Sequence, residues 1–328
     1  MPIQRYSAIQ SLDTTKERAM AYQDDFRMLM ISAMYENGGN TTHRFLDGHP
    51  ELYVYPFESQ LGNARQADFL SSLYPFKYRY PDFPMGHSAG EYYEMFFDEE
   101  YKTVARNPNA SKFRNADFKI DEKLRKQAFV EIIEKQGTSR GNLVAAFFEA
   151  TFRSWLNLNK SGREVAYVGY SPVIGFDADR ILSDFKQGHV IHVVRNPWSA
   201  FADTIKRPFP LSIERYSWTW AMMQHHALVF AAKFPDRFHI LRFEDLVADR
   251  RGTLGKLANQ LGISWDDSLL EPSWNGRKME QVYPWGTIRT PTTEANIATM
   301  NELTGEQKAV IKSITGIMLP HFGYEKLA

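Results

Sequence analysis

The chain contains no cysteine among its 328 residues. That excludes disulfides, thiolate metal sites and cysteine nucleophiles together. It has no excess of either charge, with 39 Lys and Arg against 39 Asp and Glu. A nucleic-acid coat or a broad membrane-binding surface is therefore not expected. No stretch approaches the roughly 20 consecutive apolar residues of a membrane helix. The segment before Phe26 is polar and mixed in charge, unlike a secretory leader, so a cytoplasmic location is expected. No metal-ligand spacing stands out. His225 and His226 are adjacent, would point to different faces of a helix, and read as structural. Internal repeats and low-complexity tracts are also missing.

What is present reads as one α/β domain. Hydrophobic content is 43% and charged content 24%, ordinary for a globular chain. The most informative stretch is Val190–Trp198, an apolar β-branched run that ends in Arg195, Asn196 and Pro197 before a helical pattern. A buried parallel strand delivers a cation to the rim of a sheet in this way, where helix N-termini gather anions. The same layout occurs earlier, where residues 26–34 run into Glu36-Asn37-Gly38-Gly39-Asn40-Thr41-Thr42. Two such junctions suggest a ligand with phosphate-like groups at both ends. Further strands are expected over Leu52–Phe57, Val165–Tyr170 and Phe238–Phe243. Helices are expected from Thr41 to Leu46 and over Val173–Phe185, Ser212–Phe234, Leu246–Leu261 and residues 302–319. Strands alternating with helices argue for a parallel sheet flanked by helices. Residues 60–160 are rich in Tyr and Phe and helical near 120–157. They read as an insertion or cap rather than a separate domain, leaving residues 1–328 as a single domain.

Adjacent glycines at 38 and 39 let backbone N–H groups close around an anion, and Thr41 and Thr42 add hydroxyls at a helix start. The alternative is an ordinary strand-to-helix turn. A Walker A loop needs Lys after its glycines, and Asn, Thr, Thr and His stand there instead, which argues against a nucleoside triphosphatase. Arg195 is well placed for a bidentate phosphate contact, with Thr204 as a possible hydroxyl partner. Alternatively Arg195 pairs with Asp203 or Glu244. Arg242-Phe243-Glu244-Asp245 ends a strand in two carboxylates, whose simplest role is capping and ion pairing.

The glycine loop, Leu46-Asp47-Gly48-His49-Pro50, Val193–Pro197 and Phe243–Leu246 occur in the order and spacing of sulfotransferases that use 3′-phosphoadenosine 5′-phosphosulfate (PAPS). The resemblance covers residues 26–58 and 165–265. It implies an α/β fold related to P-loop kinases and a sulfuryl transfer that requires no metal. The loop residues Asn37, Gly38, Gly39, Asn40, Thr41 and Thr42 would then hold the 5′-phosphosulfate. Arg195 and a nearby hydroxyl would hold the 3′-phosphate. Sulfuryl transfer, like phosphoryl transfer, asks the protein for in-line positioning and charge stabilisation.

The chain departs from the family at two places. The loop usually begins with Lys or Arg and then Ser, where Glu36 and Asn37 stand here. His43 or Arg44, or Arg277, Lys278 or Arg289 from the tail loop, would supply the missing cation. The family's Ser after the 3′-phosphate Arg is Asp203, so the hydroxyl is assigned to Thr204. Resemblance to tyrosylprotein sulfotransferases makes Glu58 the general base, with an ion pair at a strand end as its alternative role. His43 and His87 are second choices. Aromatic and acidic residues of the insert, Tyr74 to Tyr101, would form the acceptor pocket over a core. They suit a cationic or amphipathic small molecule, such as a natural product, carrying a hydroxyl or amine. The rival functions are a P-loop-like kinase and a non-catalytic nucleotide-binding scaffold of the same fold.

Overall fold

The computed structural model describes residues 22–65, 68–279 and 292–327. Five strands form a parallel sheet: β1 Met28–Ala33, β2 Leu52–Val54, β3 Ala166–Pro172, β4 His189–Val194 and β5 Phe238–Arg242. Their spatial order is β2-β3-β1-β4-β5. From β1 the chain builds one half of the sheet, then crosses back and builds the other half from β4. The order therefore reverses between β1 and β4, where an open α/β sheet leaves a crevice at its carboxyl edge. Register places Ala33 beside Val193, so the two strands end level. The junctions after them, one glycine-rich and one carrying Arg195, are neighbours.

Every residue of β1 is buried, as a central strand covered on both faces requires. Its side chains alternate between two cores. Met28 and Met30 enter a core with helices Glu122–Gln136, Arg140–Ser154 and Ala178–Asp184. Leu29, Ile31 and Ala33 enter another with helices Gly39–Leu46, Phe243–Ala248 and Arg250–Leu261. A third core lies under Pro197–Thr204, Ile213–Lys233 and Gly305–Thr315. Helix Arg140–Ser154 buries twelve of its fifteen residues. This part of the 60–160 segment shares the core under β1.

Several element boundaries differ from expectation for local reasons. Residues 173–185 do not form one helix. Val173 turns left-handed at φ 59, and a 3-10 turn, Ile174–Asp177, precedes Ala178–Asp184. The helix expected over Leu246–Leu261 starts at Phe243 and is broken at Asp249. The Asp249 side chain accepts from the Gly252 N–H and caps the second half. Strand β2 stops at Val54, but Tyr55 still donates its N–H to Val168 of β3. Ser59 then donates to Tyr170 and accepts from it. These contacts keep the chain alongside β3 and carry Glu58 to the rim. Among the described residues, no helix is long and apolar enough to cross a membrane.

Candidate functional site

The first junction is made of backbone. Asn37 N–H donates to Met34 O at 3.0 Å, and Glu36 and Gly38 take positive φ of 59° and 92°. This reversal points the start of helix Gly39–Leu46 out of the sheet edge. No side chain caps that end, so the N–H groups of its first turn have no helical acceptor and favour an anion. The first bonds close behind them, with Thr42 N–H and Thr42 Oγ1 both donating to Gly38 O at 2.9 and 3.0 Å. Asn40 and Thr41 are half-buried at the opening, whereas Thr42 is buried with its hydroxyl spent. The glycines also answer to packing. A Cβ on Gly38 would lie 2.3 Å from the Phe243 ring, and one on Gly39 would lie 2.5 Å from Tyr170 and 2.6 Å from Ala33.

Side chains build the second junction. Arg195 lies over Phe243, with its guanidinium 5.0 Å from the ring centre. Its Nε donates to Asn296 Oδ1 at 2.7 Å, and its Nη1 donates to Glu36 O at 3.0 Å and to Asp203 Oδ2 at 2.9 Å. Asn37 ties the two junctions together. Its Oδ1 accepts the Arg195 N–H at 3.1 Å, and its Nδ2 donates to Tyr35 O and Tyr216 OH. Glu244 fixes the surrounding frame by accepting from Asn196 main chain and side chain, Asn296 and Tyr324. Of the strand-end carboxylates, Glu244 holds Asn296, one partner of Arg195, and Asp245 pairs with Arg242 at 2.9 Å.

Between the glycine loop and the aromatic segment lies a cluster of ionisable groups. Glu58 is half-buried. Burial first, then the negative charge of Glu58, lifts the hydroxyls of Tyr78 and Tyr170; Tyr78 also hydrogen-bonds Glu58, and Tyr170 also senses Glu36. Burial pushes the Tyr35 hydroxyl up to about 12, against the nearby positive charge of Arg207. Tyr35 and Tyr78 meet edge to face with ring centres 6.3 Å apart. Behind Glu58 lies Glu100, whose carboxylate accepts the Glu58 N–H and pairs with Lys112. Its Oε2 is buried without a partner. Burial, then the charge of Glu58, raises the Glu100 carboxyl from 4.5 to about 7. Arg207 completes the opening, 3.5 Å from Glu36 Oε1 and 5.0 Å above the Tyr35 ring. Burial lifts the Glu36 carboxyl, with Arg207 pulling the other way.

Five expected residues take other positions. His43 is buried against Arg44, whose Nη2 lies 2.7 Å from its Nδ1, and burial followed by the Arg44 charge drives its pKa well below the ordinary value. It has no route to a substrate proton. Arg44 itself points inward to Asp47, Pro56 O and the Trp274 ring. Thr204 is buried and donates its hydroxyl to Ala200 O one turn back, so it offers nothing to a phosphate. Arg277 and Lys278 form one arm of a hairpin with Ser273–Trp274. Asp47, at the far end of helix Gly39–Leu46, captures this hairpin by accepting from the N–H groups of Asn275 and Gly276. Arg277 and Lys278 then pair with Asp117 and Glu271, away from the glycine loop. His87 lies 3.4 Å from Arg65 and 3.7 Å from Glu91. Arg289 lies outside the described residues. Most of the aromatic candidates, including Tyr74, Tyr80, Tyr92, Tyr93, Phe96 and Tyr101, are buried core. Among the described residues, no group of His, Asp and Glu has metal-binding geometry.

Sequence reasoning misses Lys112 and places Glu100 only among the acidic residues of the expected acceptor pocket. Arg207 adjoins Lys206 and reads as a solvated helix end until the fold turns it toward Tyr35. The partnership of Glu100 and Lys112 with Glu58 has no sequence spacing that announces it.

A parallel sheet whose order reverses between β1 and β4 places its ligand crevice where the two junctions lie. The description of the sulfotransferase family matches residues 4–267, and the chain belongs to that family, whose enzymes draw their sulfuryl group from PAPS. Among solved structures, the sulfotransferase domain from the curacin biosynthetic pathway aligns with a TM-score of 0.53 at 18% identity, covering 92% of this chain and 98% of that one. At that identity the likeness establishes the fold alone. The sulfotransferase domain from the Synechococcus PCC 7002 olefin synthase aligns at 0.49 and 18%, covering 86% of this chain and 98% of that one. No curated protein matches the sequence.

Proposed function

We propose that this sulfotransferase moves the sulfuryl group of PAPS to a hydroxyl or amine of a small cationic or amphipathic acceptor. The observation that carries the reading is the pairing of the two junctions at the β1/β4 reversal, with Glu58 beside the glycine loop. The N–H groups of Gly39, Asn40 and Thr41 would hold the 5′-phosphosulfate, and Arg195 would hold the 3′-phosphate. The donor set fits an anion at both places: an uncapped helix start at one and a buried guanidinium at the other. Asn37 acts as a strut between them rather than as a ligand.

PAPS supplies the activated sulfuryl group, and the protein supplies position and proton transfer. Glu58 would accept the proton of the acceptor as it attacks. Tyr35 and Tyr78 would form an aromatic wall on which a cationic acceptor can rest beside that carboxylate. Arg207, paired with Glu36 at the opening, would stand in for the family's Lys or Arg.

Turnover of PAPS with a panel of phenols, alcohols, amines and guanidines tests this reading. Sulfation that falls about 10²–10⁴-fold in Glu58→Gln, with nucleotide affinity retained, supports it. Binding of ATP in preference to 3′,5′-bisphosphoadenosine would support the kinase instead. The scaffold reading draws on Glu36 at the place of the family's cation. Binding of the bisphosphate without turnover on any acceptor would favour it.

A further inference from the structure

Arg195 arrives at the rim with an anion already in hand. Two of its three partners are neutral: Asn296, which is itself held by Glu244, and the carbonyl of Glu36. The third, Asp203, is anionic, and its side chain remains 23% exposed while that of Arg195 is 9% exposed. Asp203 touches Arg195 through one nitrogen only, whereas a guanidinium can offer a phosphate two parallel bonds. The carboxylate also sits in the last turn of helix Pro197–Thr204, where the helix dipole disfavours a negative charge. Arg195 and Lys206, the latter at 3.1 Å, offset that penalty. Lys206 reaches Glu302 as well, at 2.7 Å. Arg207 and Glu36 complete the charged groups around this corner.

We propose that Asp203 is a built-in competitor for the donor's 3′-phosphate, occupying the anionic place beside Arg195 and setting how strongly the chain prefers a 3′-phosphorylated nucleotide. Binding is then an exchange. The phosphate takes the guanidinium, and Asp203 turns outward to Lys206 and solvent. If Asp203 stayed, a carboxylate and a phosphate dianion would share one cation, which like-charge repulsion opposes. The exchange lowers the yield of the 3′-phosphate contact, so wild type discriminates less than its buried arginine would allow. This inference rests on Arg195 being the 3′-phosphate anchor.

Calorimetric titration of 3′,5′-bisphosphoadenosine and of 5′-AMP tests it with wild type, Asp203→Asn, Asp203→Ser and the charge-retaining Asp203→Glu. The neutral variants are expected to bind the bisphosphate about tenfold more tightly, which corresponds to about 1.4 kcal/mol, while AMP affinity moves less than about threefold. Asp203→Glu is expected to stay near wild type. Asparagine nearly preserves the shape of aspartate, so at least one neutral variant should keep the fold, checked by its unfolding transition. If wild type discriminates and neither neutral variant widens the margin, Asp203 is no competitor, while the Arg195 assignment stands. If no protein in the set distinguishes the two nucleotides, Arg195 is not the anchor, and the inference falls with it.

Discussion

The two junctions at the β1/β4 reversal solve the same problem with different materials. After β1 the anion site is main chain: a left-handed Gly38 and an uncapped helix start. After β4 it is a side chain, Arg195, held by Asn296, Glu36 and Asp203 and framed by Glu244. A helix start draws an anion through main-chain donors set by the turn, whereas the Arg195 guanidinium already shares its charge with Asp203 at 2.9 Å.

With Glu58 as the proposed base for the acceptor, its loss should have the largest effect on rate. Glu58→Gln is expected to lower sulfation about 10²–10⁴-fold in single-turnover assays without weakening nucleotide binding. Activity within threefold of wild type would return Glu58 to an ion-pairing role. Next come the glycines. Gly39→Val forces methyl groups toward Tyr170 and Ala33, so overpacking of about 1–3 kcal/mol is expected in urea unfolding. A folded but non-binding variant is thus better sought by other means than by filling Gly39. A Gly39→Val protein of undiminished stability would show that the loop yields where the packing says it cannot.

Glu100 gives the comparison a pH axis. Its carboxyl lies near 7 in the folded chain against 4.5 ordinarily, so the folded state holds the proton more tightly. That contribution to stability is complete below pH 4.5 and is lost as pH rises through 7. Glu100→Gln mimics the protonated form. Its stability relative to wild type should therefore grow from pH 4.5 to 7 and level off above, by on the order of 3 kcal/mol. A flat difference across that range would show that burial and Glu58 do not lift the Glu100 carboxyl. The smallest effect is expected at Thr41. If N–H groups do the holding, Thr41→Ala should cost only about 0.5–1.5 kcal/mol in bisphosphate titrations, and a loss of several kcal/mol would make the hydroxyl a principal ligand.

Much of this arrangement was legible before any coordinates. The apolar runs of β1 and β4, each stopping at a turn, announced buried strands, and strand-helix alternation announced a parallel sheet. The two rim junctions followed from those stops. What stayed hidden depended on contacts between distant segments. His43 looked available because it follows a ligand-like loop, yet Thr42, His43, Arg44, Phe45 and Leu46 are all buried. Helix Gly39–Leu46 is packed on nearly every side. Asp47 holds the hairpin of Arg277 and Lys278 at the helix's other end, through N–H groups 228 and 229 residues away in sequence. Thr204 was preferred to Asp203 for its hydroxyl, but its side chain turns back on its own helix. The Glu100–Lys112 pair reaches Glu58 only once the aromatic segment folds over the rim.

The two junctions are proposed to form one nucleotide site with Arg195 as its 3′-phosphate end. Titration of 3′,5′-bisphosphoadenosine and 5′-AMP into wild type and Arg195→Ala tests this most directly. Wild type should bind the bisphosphate more tightly, and Arg195→Ala should lose most of that margin, by about 1.5–3 kcal/mol, while its AMP affinity changes little. An Arg195→Ala protein that folds and still prefers the bisphosphate by the wild-type margin would contradict the account.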